Sequence, residues 1–162
     1  MYLLDANAFI EANRTYYAFD IAPGFWSWLG DPSLEGEVAS IAAVRDELTA
    51  GTGDLVSWAR ARPESFWHAD TADVVAAMVV LSSWATDPTN SYRQEAIDEF
   101  FDSADYALIA HAMASGATVV TREQPAPDSK KRIKIPDVCD AVDVAWTDPF
   151  TSYRALELRL VA

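Results

Sequence analysis

Residues 116–123 read Gly-Ala-Thr-Val-Val-Thr-Arg-Glu. The run from Ala117 to Thr121 is short, continuous and apolar, and glycine and charge bound it. That is the pattern of a parallel strand covered on both faces, since a half-exposed strand alternates apolar with polar. Just upstream, Ser103 to Ser115 carries apolar residues at helical spacing, and Gly116 stops it as a C-terminal cap. A helix that feeds directly into a buried strand is half of a β-α-β unit. The stretch therefore decides for an α/β fold with a parallel sheet.

Working outward, Met1 to Leu4 has the same buried-strand character and stops at Asp5. Further strands are expected at Val38–Ser40, Ser65–His68, Arg132–Ile135 and Ala141–Ala145. Helices are expected at 6–13, Ile41–Thr49, Asp54–Arg62, Thr71–Ala85, Ser91–Phe101 and from Asp148 onward. Pro63, Gly51 and Gly53 supply stops, and Pro136 opens a short turn or helix. Strands alternating with helices predict a three-layer α/β/α sandwich with a central, mostly parallel sheet. The 162 residues suit one domain, 1–162. The stretch Tyr16, Tyr17, Phe19, Phe25, Trp26 and Trp28, broken by Pro23-Gly24, is expected in the core or at a partner interface. Stacking on RNA bases is a further reading of it.

Composition narrows the function classes. Half of the chain is hydrophobic (51%), which excludes disorder as the main state. A single cysteine, Cys139, excludes an internal disulfide and a thiolate zinc site, and it fits a reducing, cytoplasmic compartment. Cys139 itself reads as an inert small apolar residue. No apolar run reaches the ~20 residues of a membrane span, and no signal peptide is expected before Asp5. The net charge of -13 argues against broad, nonspecific nucleic-acid binding.

Four carboxylates stand out by position. Asp5 ends the first strand and Glu123 follows the strongest one, so both are expected at the carboxyl edge, where parallel sheets bind ligands. Glu47 shares its helix face with Ala43, Val44 and Leu48. Asp105 begins the stripe Leu108, Ile109, Ala112 and Met113. Carboxylates turned toward a core are costly unless paired or bound to metal. Singly, each has a plain explanation: a strand end, a rim residue, an acid in a first helical turn. Converging, they favour a hard cation bound through oxygen, Mg²⁺ or Mn²⁺. Such an ion activates water and neutralises a phosphoryl oxygen, the chemistry of phosphodiester hydrolysis.

The segments Leu3-Leu4-Asp5-Ala6-Asn7, Val44 to Leu48, Asp105 to Ala112 and Gly116 to Glu123 together resemble a PIN domain, in order and spacing. The resemblance is closest to bacterial toxins of the VapC type. It is closer still to a PIN-like branch that carries Tyr-Tyr-Ala-Phe-Asp and Gly-Phe-Trp (here within 16–26) and Ile-Lys-Ile-Pro (here 133–136). It implies a PIN-like fold and a metal-dependent endoribonuclease held in check by an antitoxin protein, with a homodimer as its assembly. Carried over residue by residue, Asp5, Glu47, Asp105 and Glu123 are the catalytic and metal-binding quartet, with Asn7 and Thr121 supporting. Many members place an acid or Asn three residues beyond the fourth acid. Ala126 stands there in this chain.

Arg122, Lys130, Lys131, Arg132 and Lys134 crowd into thirteen positions and are expected to contact RNA phosphates or an acidic antitoxin tail, against a plain solvated loop. Asp102 reads as a helix cap, His111 as a surface or partner contact, and His68 as isolated. Two other functions compete. An aspartyl-nucleophile phosphatase also starts with Asp at the end of strand one, but needs an acid where Asn7 stands. A non-catalytic PIN-like binding module would have no need of four core-facing acids. The acidic remainder predicts a weakly binding, selective nuclease sensitive to metal and salt.

Overall fold

In the computed structural model, which describes residues 1–160, the strands are Tyr2–Leu4 (β1), Val38–Ile41 (β2), Trp67–His68 (β3), Thr118–Val120 (β4) and Trp146–Thr147 (β5). They lie in the order β3-β2-β1-β4-β5, every neighbouring pair parallel. The two clearest strand signals in the sequence, β1 and β4, thus pair at the middle of the sheet. Leu3, Leu4, Val119 and Val120 are at most 1% exposed, as strands covered on both faces must be. Ser40, also fully buried, is satisfied by donating to the Leu4 carbonyl at 2.7 Å, so it ties β2 to β1 by its side chain.

Nine α-helices flank the sheet among the described residues: Ala6–Glu11 (α1), Pro23–Leu29 (α2), Ala42–Thr49 (α3), Asp54–Arg60 (α4), Ala72–Ala85 (α5), Gln94–Asp102 (α6), Ala104–Ser115 (α7), Ile135–Ala141 (α8) and Pro149–Ala155 (α9). The result is the expected three-layer α/β/α sandwich, and its central sheet is wholly parallel. Residues 161 and 162 of the expected single domain lie outside the described residues. No helix among the described residues is long and apolar enough to cross a membrane.

Helix α7 shows why the site acids end up where they do. It packs on β2 and β4 with one face and on α5 with another. Ala107, Leu108, Ile109, Ala110, His111 and Ala112 are all buried, so this helix is covered nearly all round rather than along one stripe. Gly116 ends it at φ 70, the left-handed cap that glycine adopts without a Cβ clash. Its first turn, with Asp105, is thereby fixed near the carboxyl ends of the strands.

Several expectations are corrected. Residues 132–135 form no strand. Ile133 and Ile135 are buried and alternate with polar Arg132 and Lys134, which imitates a strand. Yet the Ile135 N–H donates to the Glu123 carboxylate, not to a neighbouring strand, and Ile135 opens α8 with Pro136 in its first turn. The strand expected at 141–145 falls at β5 instead. The Val144 N–H bonds back to the Cys139 carbonyl and Asp143 takes φ 54, so these residues close off α8. Residues 64–66 are a 3₁₀ turn leading into β3. Pro23 does not break the aromatic stretch but starts α2. The helix expected to run to residue 13 passes at Ala12 into a π-helical turn, Ala12–Tyr16.

The aromatic stretch is mostly core. Phe25 and Trp26 are 0% and 3% exposed, and Tyr17 and Phe19 stack on them with ring centroids 4.2 Å apart in each case. Tyr16, at 43% exposed, is the exception.

Candidate active site at the carboxyl edge of the sheet

Asp5 leaves β1 and caps α1. Its Oδ1 accepts the Ala8 N–H at 2.6 Å, and its Oδ2 accepts the Thr121 hydroxyl at 2.6 Å. The carboxyl group is wholly buried, and burial outweighs both hydrogen bonds. The pKa is pushed up to about 7, with Asp105 and Glu123 adding repulsion. Thr121 also accepts the Glu123 N–H at 3.1 Å. One hydroxyl therefore orients the Asp5 carboxylate and holds the backbone at Glu123.

Asp105, in the first turn of α7, is half-buried. Burial raises its pKa to about 6, followed by the charges of Glu123, Glu47 and Glu99, with Arg132 opposing. Four acids of the expected quartet thus lie close enough to perturb one another, and Glu99 on α6 joins them. Sequence reading missed Glu99, because one acid among four on a solvent-facing helix carries no signal.

The members are not equivalent. Glu123 already has internal cations: Arg132 Nη2 at 3.2 Å and Lys134 Nζ at 3.6 Å from Oε1, and the Ile135 N–H at 2.7 Å from Oε2. Glu47 is not inside the apolar stripe. Val44 and Leu48 are buried while Glu47 is exposed, since it is rotated about 60° from Val44 around the helix axis. Partial burial of its stem still raises its pKa. Asn7 is exposed in the first turn of α1.

Four of the five basic residues already have partners within the chain. Arg122 pairs with Glu11 at 3.1 Å and with the Tyr16 hydroxyl at 3.1 Å. Lys130 lies over the Tyr92 ring at 4.9 Å and donates to the Pro127 carbonyl at 3.0 Å. Arg132 and Lys134 hold Glu123, and Lys131 is exposed.

Three minor expectations change as well. Asp102 ends α6, and Ser103 occupies the cap position of α7. His111 is buried, not on the surface, and its Nε2 lies 2.9 Å from Asp70 Oδ1. His68 is not isolated: burial lowers its pKa first, and the nearby His111 charge lowers it further. Cys139 is fully buried, and burial pushes its thiol up to about 12, which leaves it inert at neutral pH.

Among the described residues, no three Asp, Glu, His or Cys side chains converge closely enough to hold a metal ion as they stand. The chemistry of the donors nevertheless fits a hard divalent cation. Every candidate donor is a carboxylate oxygen, and among the described residues neither Asp5 nor Asp105 forms a direct ion pair such as Glu123 makes with Arg132 and Lys134. Those two residues are the ones that would hold the ion, with Glu123 and Glu47 at its margin.

The pattern that defines one protein family, a domain of unknown function (DUF4411), matches residues 2–160. No curated protein and no solved structure matches the chain.

Proposed function

The chain belongs to the DUF4411 family, and we propose for it a divalent-cation-dependent endoribonuclease activity centred on Asp5 and Asp105. The observation that carries this reading is the imbalance of charge at one sheet edge. Two carboxyl groups, one fully and one half buried, have pKa values of about 7 and about 6, and among the described residues neither forms an ion pair, Arg132 offsetting the charge of Asp105 only in part. Structural acids are placed to avoid that cost, whereas functional sites retain it. The order and spacing of the acid-bearing segments, which resemble a PIN domain of the VapC type, point to RNA as the substrate.

Bound there, a Mg²⁺ or Mn²⁺ ion supplies a Lewis acid for a phosphoryl oxygen and an activated water. The chain's own contribution is placement. Thr121 and the Ala8 N–H fix the Asp5 carboxylate against rotation. Arg132 and Lys134, already at the rim, keep Glu123 from adding its full charge to the approach of a phosphate. On this reading the protein acts in the cytoplasm as a toxin, as a homodimer, and an antitoxin protein restrains it.

A second reading, a non-catalytic PIN-like binding module, draws on the spread of the acids and on the neutralised Glu123. The phosphatase reading has less support, because no acid stands at the position of Asn7 to protonate a leaving group.

Incubation of the protein with single-stranded RNA, with Mn²⁺ and with chelator, separates these readings, with Asp105→Asn run in parallel. Cleavage only with Mn²⁺, lost in Asp105→Asn, is the expected result. Cleavage that survives Asp105→Asn removes the site assignment, and a folded wild type that cuts no RNA favours the binding module.

A further inference from the structure

We propose that Tyr16, held by Arg122 and Phe150, is a stacking seat for one unpaired nucleobase of the substrate beside the acidic pair. The proposal rests on the ribonuclease reading and adds to it a determinant of specificity for single-stranded RNA.

The backbone prepares the seat. Past Glu11 the chain widens into the π-helical turn Ala12–Tyr16, closed by the Tyr17 N–H on the Ala12 carbonyl at 2.6 Å. Such turns are rare and recur at functional sites, because the extra residue re-aims the side chains that follow. Here it brings Tyr16 out of the aromatic core. Its neighbours Tyr17, Phe25 and Trp26 pack inward while Tyr16 keeps 43% of its surface exposed.

The exposed ring is also pinned. Arg122 lies over it at 5.3 Å from the ring centre and donates to its hydroxyl at 3.1 Å, and Phe150 meets it edge-on at 5.1 Å. A free surface tyrosine loses side-chain entropy when a ligand stacks on it. This one has little left to lose, which is how preorganised contacts gain affinity.

The surroundings select a base over a phosphate. Arg122 is neutralised by Glu11, whose Oε2 lies 3.1 Å from Nε, and its guanidinium is shared between the Tyr16 and Phe150 rings. A phosphate at this place would meet the Glu11 carboxylate, whereas an uncharged base meets aromatic and guanidinium planes. The hollow between these side chains is only about 10 Å³, room for a water at most, so a base must lie on the surface rather than enter.

The seat adjoins the acids. Ala8 lines the same hollow and donates its N–H to Asp5, and Arg122 stands between Thr121, bonded to Asp5, and Glu123. A nucleotide stacked on Tyr16 therefore brings a neighbouring phosphate toward the sheet edge that carries Asp5. A paired base cannot stack in this way, so duplex RNA is excluded.

The test walks a single abasic residue along a short single-stranded RNA. Binding to Asp105→Asn is read by fluorescence anisotropy, and cleavage by the wild type is read with Mn²⁺. Base-on-aromatic stacking is worth roughly 5- to 160-fold in affinity. One abasic position is expected to weaken binding by that factor. Tyr16→Ala in the Asp105→Asn background is expected to weaken binding equally and to be blind to the abasic residue, while Tyr16→Trp retains the sensitivity. Equal affinity for every abasic RNA, or sensitivity that persists in Tyr16→Ala, overturns the seat. So does a failure of Asp105→Asn to bind any of these RNAs. Abasic-sensitive binding with no cleavage by the wild type upholds the seat and removes the nuclease reading instead.

Discussion

The Thr121 hydroxyl donates to Asp5 Oδ2 at 2.6 Å, across 116 positions of sequence, and so joins the carboxyl ends of the two central strands. The same oxygen accepts the Glu123 N–H. A single side chain thus sets the orientation of the most buried acid and the path of the chain that carries the next one.

Charge strain of this kind has a definite pH signature. The folded pKa values of Asp5 and Asp105, about 7 and about 6, lie above the ordinary aspartate value of 3.8. Well below pH 3.8 both states are protonated and neither group costs stability. As pH rises through the unfolded value, the unfolded chain releases protons that the folded chain retains, so stability falls until about pH 7 and then levels. In metal-free buffer the melting temperature is expected to drop between pH 5 and pH 7.5. Asp5→Asn is expected to flatten that drop and to gain on the order of a few kcal/mol at pH 7.5. Thermal melts across this range check the sign.

Thr121→Val keeps the shape of the buried side chain and removes its hydroxyl. Loss of a hydrogen bond to a buried acceptor costs about 1–3 kcal/mol. Because the bond favours the ionised form of Asp5, the loss is expected to be larger at pH 8 than at pH 5, and the Asp5 pKa is expected to rise further. Urea unfolding at the two pH values measures the difference.

Arg132 separates an internal counter-ion from a purely RNA-contacting residue. It pairs with Glu123 and lowers the Asp105 pKa in the free protein. Arg132→Ala is expected to raise the Asp105 pKa above about 6 with no RNA present, as read by NMR titration of the carboxyl carbons. A residue that met only RNA phosphates would leave that titration unchanged.

His111 is expected to be structural. It is 4% exposed on α7 and bonded to Asp70, away from the acids. His111→Ala opens a hole in a packed interior and is expected to cost about 2–4 kcal/mol, by analogy with large-to-small core changes. Cleavage measured well below its melting temperature is expected to stay near the wild-type rate.

The central strands, α7 and its glycine stop were legible because each rests on local physics: unbroken apolar runs for strands covered on both faces, and a left-handed cap that favours glycine. Asp5 and Asp105 were legible for a related reason, as charges placed where apolar periodicity demanded otherwise. What the sequence hid depends on distant partners. Arg132-Ile133-Lys134-Ile135 alternates like a strand only because two isoleucines fill the core while the cations between them reach Glu123. Glu47 shares its face with Val44 and Leu48 at helical spacing, but on an eight-residue helix a rotation of about 60° is enough to bring it to the surface. His111 looked peripheral because α5, which covers that side of α7, has no local signature in the α7 sequence. The exposure of Tyr16 depends on a π turn that its aromatic neighbours disguise.

The central claim is that Asp5 and Asp105 share one divalent cation, and calorimetric titration with Mn²⁺ at pH 7 tests it most directly. Binding must displace protons held by groups with pKa values of about 7 and about 6. The expected result is one Mn²⁺ per chain, a heat that varies with the ionisation enthalpy of the buffer, and binding at least tenfold weaker in Asp105→Asn. Absence of binding, or wild-type affinity in Asp105→Asn with no buffer dependence, would contradict the claim.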